Sequence, residues 1–132
     1  MFSTDAYILG HWLMDYERKL LFGLITELES KMQKHQSPGV LADLIERLYS
    51  YAALHFATED RLMAETDYSD ATSHQAEHEL VLMSLRRLEA SIQSGALSAP
   101  EETLRFMKSW ATDHIPNFDR RLAEHLCKGM RQ

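Results

Sequence analysis

His74-Gln75-Ala76-Glu77-His78 is the stretch around which the rest of the chain is organised. On a helix, two imidazoles four residues apart lie about 40° apart around the axis and about 6 Å apart along it, close enough to bind one metal ion. The same five residues also fit the His-x-x-Glu-His pattern of one class of zinc peptidases. The pair therefore indicates a metal site without defining its kind, and the other helices must decide between the interpretations.

The composition is that of an ordinary globular protein, with 132 residues of which 45% are hydrophobic and 26% charged. This length predicts a single domain over residues 1–132. The net charge of −6 and the lack of a basic stripe argue against nucleic acid as a partner. The start resembles no signal peptide and no apolar run could cross a bilayer, so we expect a cytoplasmic protein without a membrane partner. Cys127 is the only cysteine, which excludes an intramolecular disulfide and a cysteine-based metal cluster.

Three polar, loop-forming stretches divide the chain into four helical segments. The stretches are Gln36–Gly39, Thr66–Thr72 and Ser94–Pro100, and the first two segments run from about Tyr16 to Lys34 and from about Gly39 to Glu65. The third segment carries the histidine pair, and the fourth opens after Ser98. Apolar residues recur every three or four positions in each segment, and none alternates with a period of two. The pattern predicts an all-α fold, an up-down-up-down antiparallel four-helix bundle.

Polar residues interrupt the apolar stripes of three of these helices. They are His55 and Glu59 in the second, His74 and His78 at the start of the third, and His114, followed by Asp119, in the fourth. A buried carboxylate is costly, so Glu59 on a core face needs a metal, a cation or a proton. In an antiparallel bundle the end of the second helix lies beside the start of the third and the later half of the fourth. These residues should therefore converge at one end of the core.

The spacing from His114 to Asp119 does not fit a regular helix. Five residues correspond to about 500°, which leaves the two side chains about 140° apart. Pro116 lies between them and removes the backbone hydrogen bond to Thr112, which kinks or widens a helix. Either a local π-like turn or a metal pair reached from both sides would reconcile the spacing. We favour a two-metal site.

Three motifs, one on each of the last three helices, resemble the hemerythrin family, specifically the bacterial single-domain hemerythrins. They are His55-Phe56-Ala57-Thr58-Glu59-Asp60-Arg61-Leu62-Met63, His74-x-x-x-His78 and Trp110-Ala111-Thr112-Asp113-His114-Ile115-Pro116-Asn117-Phe118-Asp119. The resemblance covers nearly the whole chain in the family's helix order. It implies a four-helix bundle with a non-haem di-iron centre (Fe–O–Fe) that binds dioxygen. By position, it also implies ligand roles: His74, His78 and His114 on one iron, His55 on the second, and Glu59 and Asp119 bridging both.

The first helix departs from the family pattern at Arg18. In Asp15-Tyr16-Glu17-Arg18-Lys19-Leu20-Leu21-Phe22 the resemblance leads us to expect a histidine at this position. Arg18 shares a helical face with Leu21 and Phe22 and should point inward, yet a guanidinium has no lone pair for a metal. The candidates for a replacement ligand are Glu17, Tyr16 and His11.

Arg18 leaves two outcomes open. If the second iron still binds, its open coordination should favour oxidase or peroxidase-type reactivity. If Arg18 instead pairs with Glu59 or Asp119, the guanidinium takes the charge role of the second metal and the site holds a single ion, as in a single-metal regulatory domain.

The expected function is the binding of dioxygen or a related small oxidant at iron, for oxygen or redox sensing or for carriage, and binding is expected rather than catalysis. An effector protein or a second copy of the chain is the expected macromolecular partner. A zinc peptidase would use Glu77 as base, but it needs a third ligand and a cleft for an extended peptide. A ferritin-like oxidase would show Glu-x-x-His on two helices, and the sequence has no such pair of motifs.

Overall fold

The computed structural model describes residues 12–95, 101, 104–105, 107–110, 112 and 115–130. Helix α1 spans Trp12–Gln33, α2 spans Pro38–Glu65 and α3 spans Ala71–Ser94. A π-helical segment, Ile115–Asp119, leads directly into α4, Arg120–Met130. The described residues between 101 and 112 are also helical, and the described part of the chain contains no strand. The predicted all-α class is confirmed, although α1 begins earlier than the expected start at Tyr16.

Local sequence signals set the ends of the long helices. The Ser37 side chain accepts a hydrogen bond from the backbone N–H of Val40, and Pro38 follows at the first helical position of α2. Helix α3 ends at Ser94 and is capped by Gly95, whose φ of 79° is the left-handed conformation that glycine adopts at low cost. The opening Ser98 and Pro100 expected for the fourth helix lie outside the described residues. The short connection between α2 and α3 brings the end of one helix beside the start of the next.

Side-chain pairs between neighbouring helices run in opposite order along the two partners. The pairs are Glu27–Arg47 and Glu17–His55 for α1 and α2, Glu46–Arg86 and Glu59–His74 for α2 and α3, and Glu29–Lys108 and Arg18–Asp119 for α1 and the chain beyond residue 104. Between each two segments there are two such pairs, and the later residue of the first segment pairs with the earlier residue of the second. These three pairs of segments are therefore antiparallel.

The core consists of two apolar clusters with polar side chains between them. The larger cluster includes Leu21 on α1, Phe56 on α2, Val81 on α3 and Trp110. The smaller consists of Met14, Met63, Leu122 and Leu126, with Ala71 packed against it. Most of the buried polar residues fall between the two clusters in sequence: Glu17, Arg18, Glu59, His74, His78 and Asp119. His55 precedes Phe56 within the stretch of α2 that contributes to the larger cluster. Apolar layers on both sides thus keep these polar groups away from water. Electrostatic interactions between the groups are stronger in such a buried site than in water.

No helix in the described part of the chain is both long enough and apolar enough to cross a membrane.

Candidate metal centre

Glu59, His74, His78 and Asp119 bring their ligand atoms to one buried point, with all of these atoms within 4.8 Å of one another. Glu59 Oε1 lies 3.1 Å from His74 Nε2 and 2.8 Å from His78 Nε2. His74 Nε2 is also 3.1 Å from Asp119 Oδ1. Two ligands bound at right angles to one ion at about 2.1 Å would be about 3 Å apart. The spacing therefore suits a single ion at the centre of the four side chains.

Aromatic side chains orient the two imidazoles. The Phe56 ring stacks on His78 with centroids 4.0 Å apart and an interplanar angle of 7°. Trp110 meets Phe56 edge-on at 5.7 Å, and Phe118 lies edge-on to His74 at 6.0 Å. Such contacts restrict the ring rotamers and exclude water. They form an apolar wall beside the site, and the sequence analysis did not predict the stacking of Phe56 on His78.

Asp119 is the last residue of the π-helical segment Ile115–Asp119. A π-like turn was one of the two explanations for the spacing between His114 and Asp119, and the structure contains it. Wide turns of this kind occur often at functional sites, because they redirect one side chain within a continuous helix. His114 itself, predicted as the third histidine ligand, lies outside the described residues.

His55 lies at the edge of the cluster. Its Nε2 is 3.5 Å from Glu59 Oε2, and its Nδ1 is 3.1 Å from Glu17 Oε1. Glu17 also accepts a hydrogen bond from the Thr58 hydroxyl at 3.3 Å. A carboxylate on the outer nitrogen of a histidine is the usual arrangement that fixes the ring and directs the other nitrogen inward. Glu17 thus orients His55, and sequence reasoning missed this role.

Of the other two candidates for a replacement ligand, only Tyr16 lies among the described residues, and it does not join the cluster. Tyr16 is 58% exposed on the outer surface of α1, and His11 lies outside the described residues. Glu77, the base that a zinc peptidase would need, is partly exposed and is not one of the four clustered residues.

Arg18 is 1% exposed and lies beside the clustered carboxylates. Its Nε donates to Asp119 Oδ2 at 2.9 Å, and its Nη1 donates to Asp15 Oδ1 at 2.8 Å. The expected inward orientation is confirmed. Pairing with a site carboxylate was one of the alternatives left open, and the structure has it with Asp119 rather than Glu59. One oxygen of Asp119 therefore faces the guanidinium while the other faces His74. The contact with Asp15 was not predicted, although a spacing of three residues on one helix allows it.

The histidines and carboxylates of the cluster shift one another's pKa values. Burial and the charge of Asp119 raise the pKa of Glu59, but three surrounding imidazoles outweigh them and bring it down to about 2. These rings belong to His55, His74 and His78. Burial lowers the pKa of His74, yet the hydrogen bonds to Asp119 and Glu59 prevail and raise it to about 9. Glu59 is thus ionised at neutral pH, and a metal ion must compete with a proton for His74.

The donor set fits a non-haem metal. Two imidazoles and two carboxylates supply nitrogen and oxygen ligands, a combination that suits iron, and histidine pairs with a carboxylate are typical of iron(II) sites. Glu59 is fully buried, which requires a compensating positive charge. Together with the antiparallel helices, the site defines a class: a helical cation-binding protein with a buried histidine–carboxylate centre.

The family follows from a direct match. The family model described as "Hemerythrin HHE cation binding domain" matches residues 10–126. The chain therefore belongs to the hemerythrin family, as its motifs indicated.

Relatives from bacteria and eukaryotes support this assignment at low identity. The chain is 26% identical over 106 residues to a bacteriohemerythrin of Methylococcus capsulatus, covering 80% of each protein. It is 24% identical over 119 residues to a hemerythrin-like protein of Naegleria gruberi, covering 89% of this chain and 87% of that protein. It is 26% identical over 115 residues to a myohemerythrin of Riftia pachyptila, covering 87% of this chain and 84% of the relative.

A solved structure shares the fold. The crystal structure of a wild-type hemerythrin superposes with a TM-score of 0.83 at 21% identity, covering 96% of each chain. At this identity the likeness shows the fold alone.

Proposed function

We propose that this chain is an iron-binding hemerythrin-like protein whose buried centre binds dioxygen or a related small oxidant, for oxygen or redox sensing or for carriage. The observation that carries the proposal is the convergence of Glu59, His74, His78 and Asp119 within 4.8 Å in a chain of this family. The proposed ligand set comprises these four residues and His114, and the family resemblance implies His55 for a second ion.

The proposed architecture is an up-down-up-down four-helix bundle that forms one domain over residues 1–132. The antiparallel order of the interhelical pairs and the likeness to the hemerythrin structure support it. We place the protein in the cytoplasm and propose an effector protein or a second copy of the chain as its partner. No role with nucleic acid or a membrane is proposed.

Each residue of the centre has a separate task. His74 and His78 present Nε2 to the ion, and the carboxylates of Glu59 and Asp119 provide negative charge and oxygen ligands. Phe56 packs against the centre and excludes water. A bound iron would supply redox chemistry toward dioxygen, which these side chains alone lack. The bound proton of His74 must leave before its Nε2 can bind a metal, since its pKa is about 9.

A second candidate function follows from Arg18. The family resemblance implies a di-iron centre, with His55 on the second iron. The ion pair between Arg18 and Asp119 favours a centre that departs from this pattern, either an iron-dependent oxidase or peroxidase with an open second iron or a single-metal regulatory domain.

Optical spectra test the proposed function. Iron-loaded, anaerobically reduced protein is exposed to air, and the rate of autoxidation is timed. A long-lived oxygenated spectrum supports carriage, whereas rapid oxidation without it supports sensing or oxidase chemistry. His74→Ala serves as the control and should give neither spectrum. If the wild-type protein binds no iron, or if His74→Ala behaves like the wild type, the proposal is wrong.

A further inference from the structure

A second metal ion in this centre would have to lie near three atoms. These are His55 Nε2, Glu59 Oε2 and Asp119 Oδ2, the side-chain atoms of the proposed ligands that face away from the first group. His55 Nε2 lies 3.5 Å from Glu59 Oε2, which leaves that side of the pair open to an ion. The Nε of Arg18 lies 2.9 Å from Asp119 Oδ2. The guanidinium therefore takes up the carboxylate oxygen that a second ion would need.

Arg18 is held in this position from two directions. Asp119 contacts it from the π-helical segment, and Asp15 contacts it from its own helix at 2.8 Å. At 1% exposure, the guanidinium is also shielded from water. Arginine remains protonated at all pH values that a folded protein survives, so this positive charge is permanent. A divalent ion arriving beside it would meet both repulsion and an occupied ligand oxygen.

From these contacts we infer that Arg18 acts as a built-in replacement for the second metal ion, so that the centre binds one ion per chain. This inference rests on the proposed iron site and fixes its stoichiometry. The single ion is bound by Glu59, His74, His78 and Asp119, the four residues whose ligand atoms converge, together with the proposed ligand His114. His55 then serves as a hydrogen-bonding neighbour of Glu59, oriented by Glu17, and holds no ion of its own.

Metal stoichiometry in a small set of variants tests the inference. Protein is loaded anaerobically with iron(II), and in parallel with cobalt(II), passed through a desalting column and measured for metal per chain by mass spectrometry. The wild type should retain one ion. Arg18→His removes the fixed charge and adds an imidazole, so it should retain two. Arg18→Lys is the matched control, because it keeps the positive charge and should retain one.

His55 variants locate the additional ion. His55→Ala in the wild-type background should leave one ion bound, whereas His55→Ala combined with Arg18→His should reduce the content from two ions to one. Circular dichroism confirms that each variant is folded. If Arg18→His does not fold, the wild-type content and His55→Ala still decide the question.

Each outcome has a definite meaning. Two ions in the wild type overturn the inference while leaving the proposed iron site intact. One ion in both the wild type and a folded Arg18→His variant also overturns it, because Arg18 would then not be what limits the stoichiometry. Loss of the ion in His55→Ala alone contradicts the assignment of His55 as a bystander. No ion in the wild type overturns the proposed function itself, and the inference with it.

Discussion

Removing the Arg18 guanidinium should destabilise the metal-stripped protein more than any exposed arginine substitution. In Arg18→Met the aliphatic part of the side chain is largely retained, but Asp119 loses its ion-pair partner at 2.9 Å. Asp119 is 1% exposed, so its charge would remain buried and poorly compensated. Breaking a buried pair by removing one partner costs about 3–5 kcal/mol.

The expected loss lies near the lower end of that range. The other oxygen of Asp119 is 3.1 Å from His74, whose pKa of about 9 keeps the ring protonated at neutral pH in the absence of metal. This second cation offsets part of the lost interaction. We therefore expect a decrease of about 3 kcal/mol in the free energy of unfolding, which corresponds to about 10 °C in Tm for a domain of this size.

Urea denaturation followed by circular dichroism at pH 7 measures this change. The matched control is Arg47→Met, since Arg47 is 61% exposed and its pair with Glu27 spans 3.8 Å. Surface pairs of this kind contribute at most about 1 kcal/mol. Equal effects of the two substitutions, or a loss below about 1 kcal/mol for Arg18→Met, would refute the reasoning that Arg18 neutralises a buried carboxylate.

Three further predictions concern the centre. Glu17→Gln weakens the hydrogen-bond acceptor that faces His55 Nδ1. In the Arg18→His background this substitution should lower the affinity for the additional cobalt ion about 10- to 100-fold, measured by titration. Unchanged affinity would argue against an orienting role for Glu17. The pKa of His74 is raised to about 9, so the contribution of this side chain to the stability of metal-stripped protein is full below about pH 6.5 and is lost as the pH rises through 9. The affinity for metal should rise over the same pH interval. Denaturation and metal titration at pH 7, 8 and 9 should therefore show opposite trends, and parallel trends would contradict the assignment. Phe56→Ala removes a ring that is 3% exposed and stacked on a ligand, and it should cost about 3–5 kcal/mol of stability by urea denaturation; a loss below about 1 kcal/mol would show that the stacking contributes little.

The sequence predicted those features that depend on periodicity along one helix. The inward face of Arg18 follows from its position relative to Leu21 and Phe22, and all three side chains are buried. The same reasoning placed Glu59 and the pair of His74 and His78 on core faces, where the structure has them. Periodicity works here because each helix is long and its polar interruptions are few.

The sequence was less informative about contacts between helices. It left open whether Arg18 would meet Glu59 or Asp119, because that choice depends on the axial offset of helices distant in sequence. It suggested Glu17 as a ligand, whereas in the structure Glu17 contacts His55 and Thr58. It offered two explanations for the spacing before Asp119, and only the backbone could show the π-helical segment. These features depend on distances of a few ångströms between elements, which sequence patterns do not encode.

Anomalous X-ray diffraction at the iron absorption edge, on crystals of the iron-loaded wild-type protein, tests the central claim most directly. The account predicts one anomalous peak per chain, at the point where Glu59, His74, His78 and Asp119 converge, with Arg18 still paired to Asp119. Two peaks, with the second between His55 and Asp119, would contradict the one-ion centre. A peak elsewhere, or none, would contradict the metal site itself.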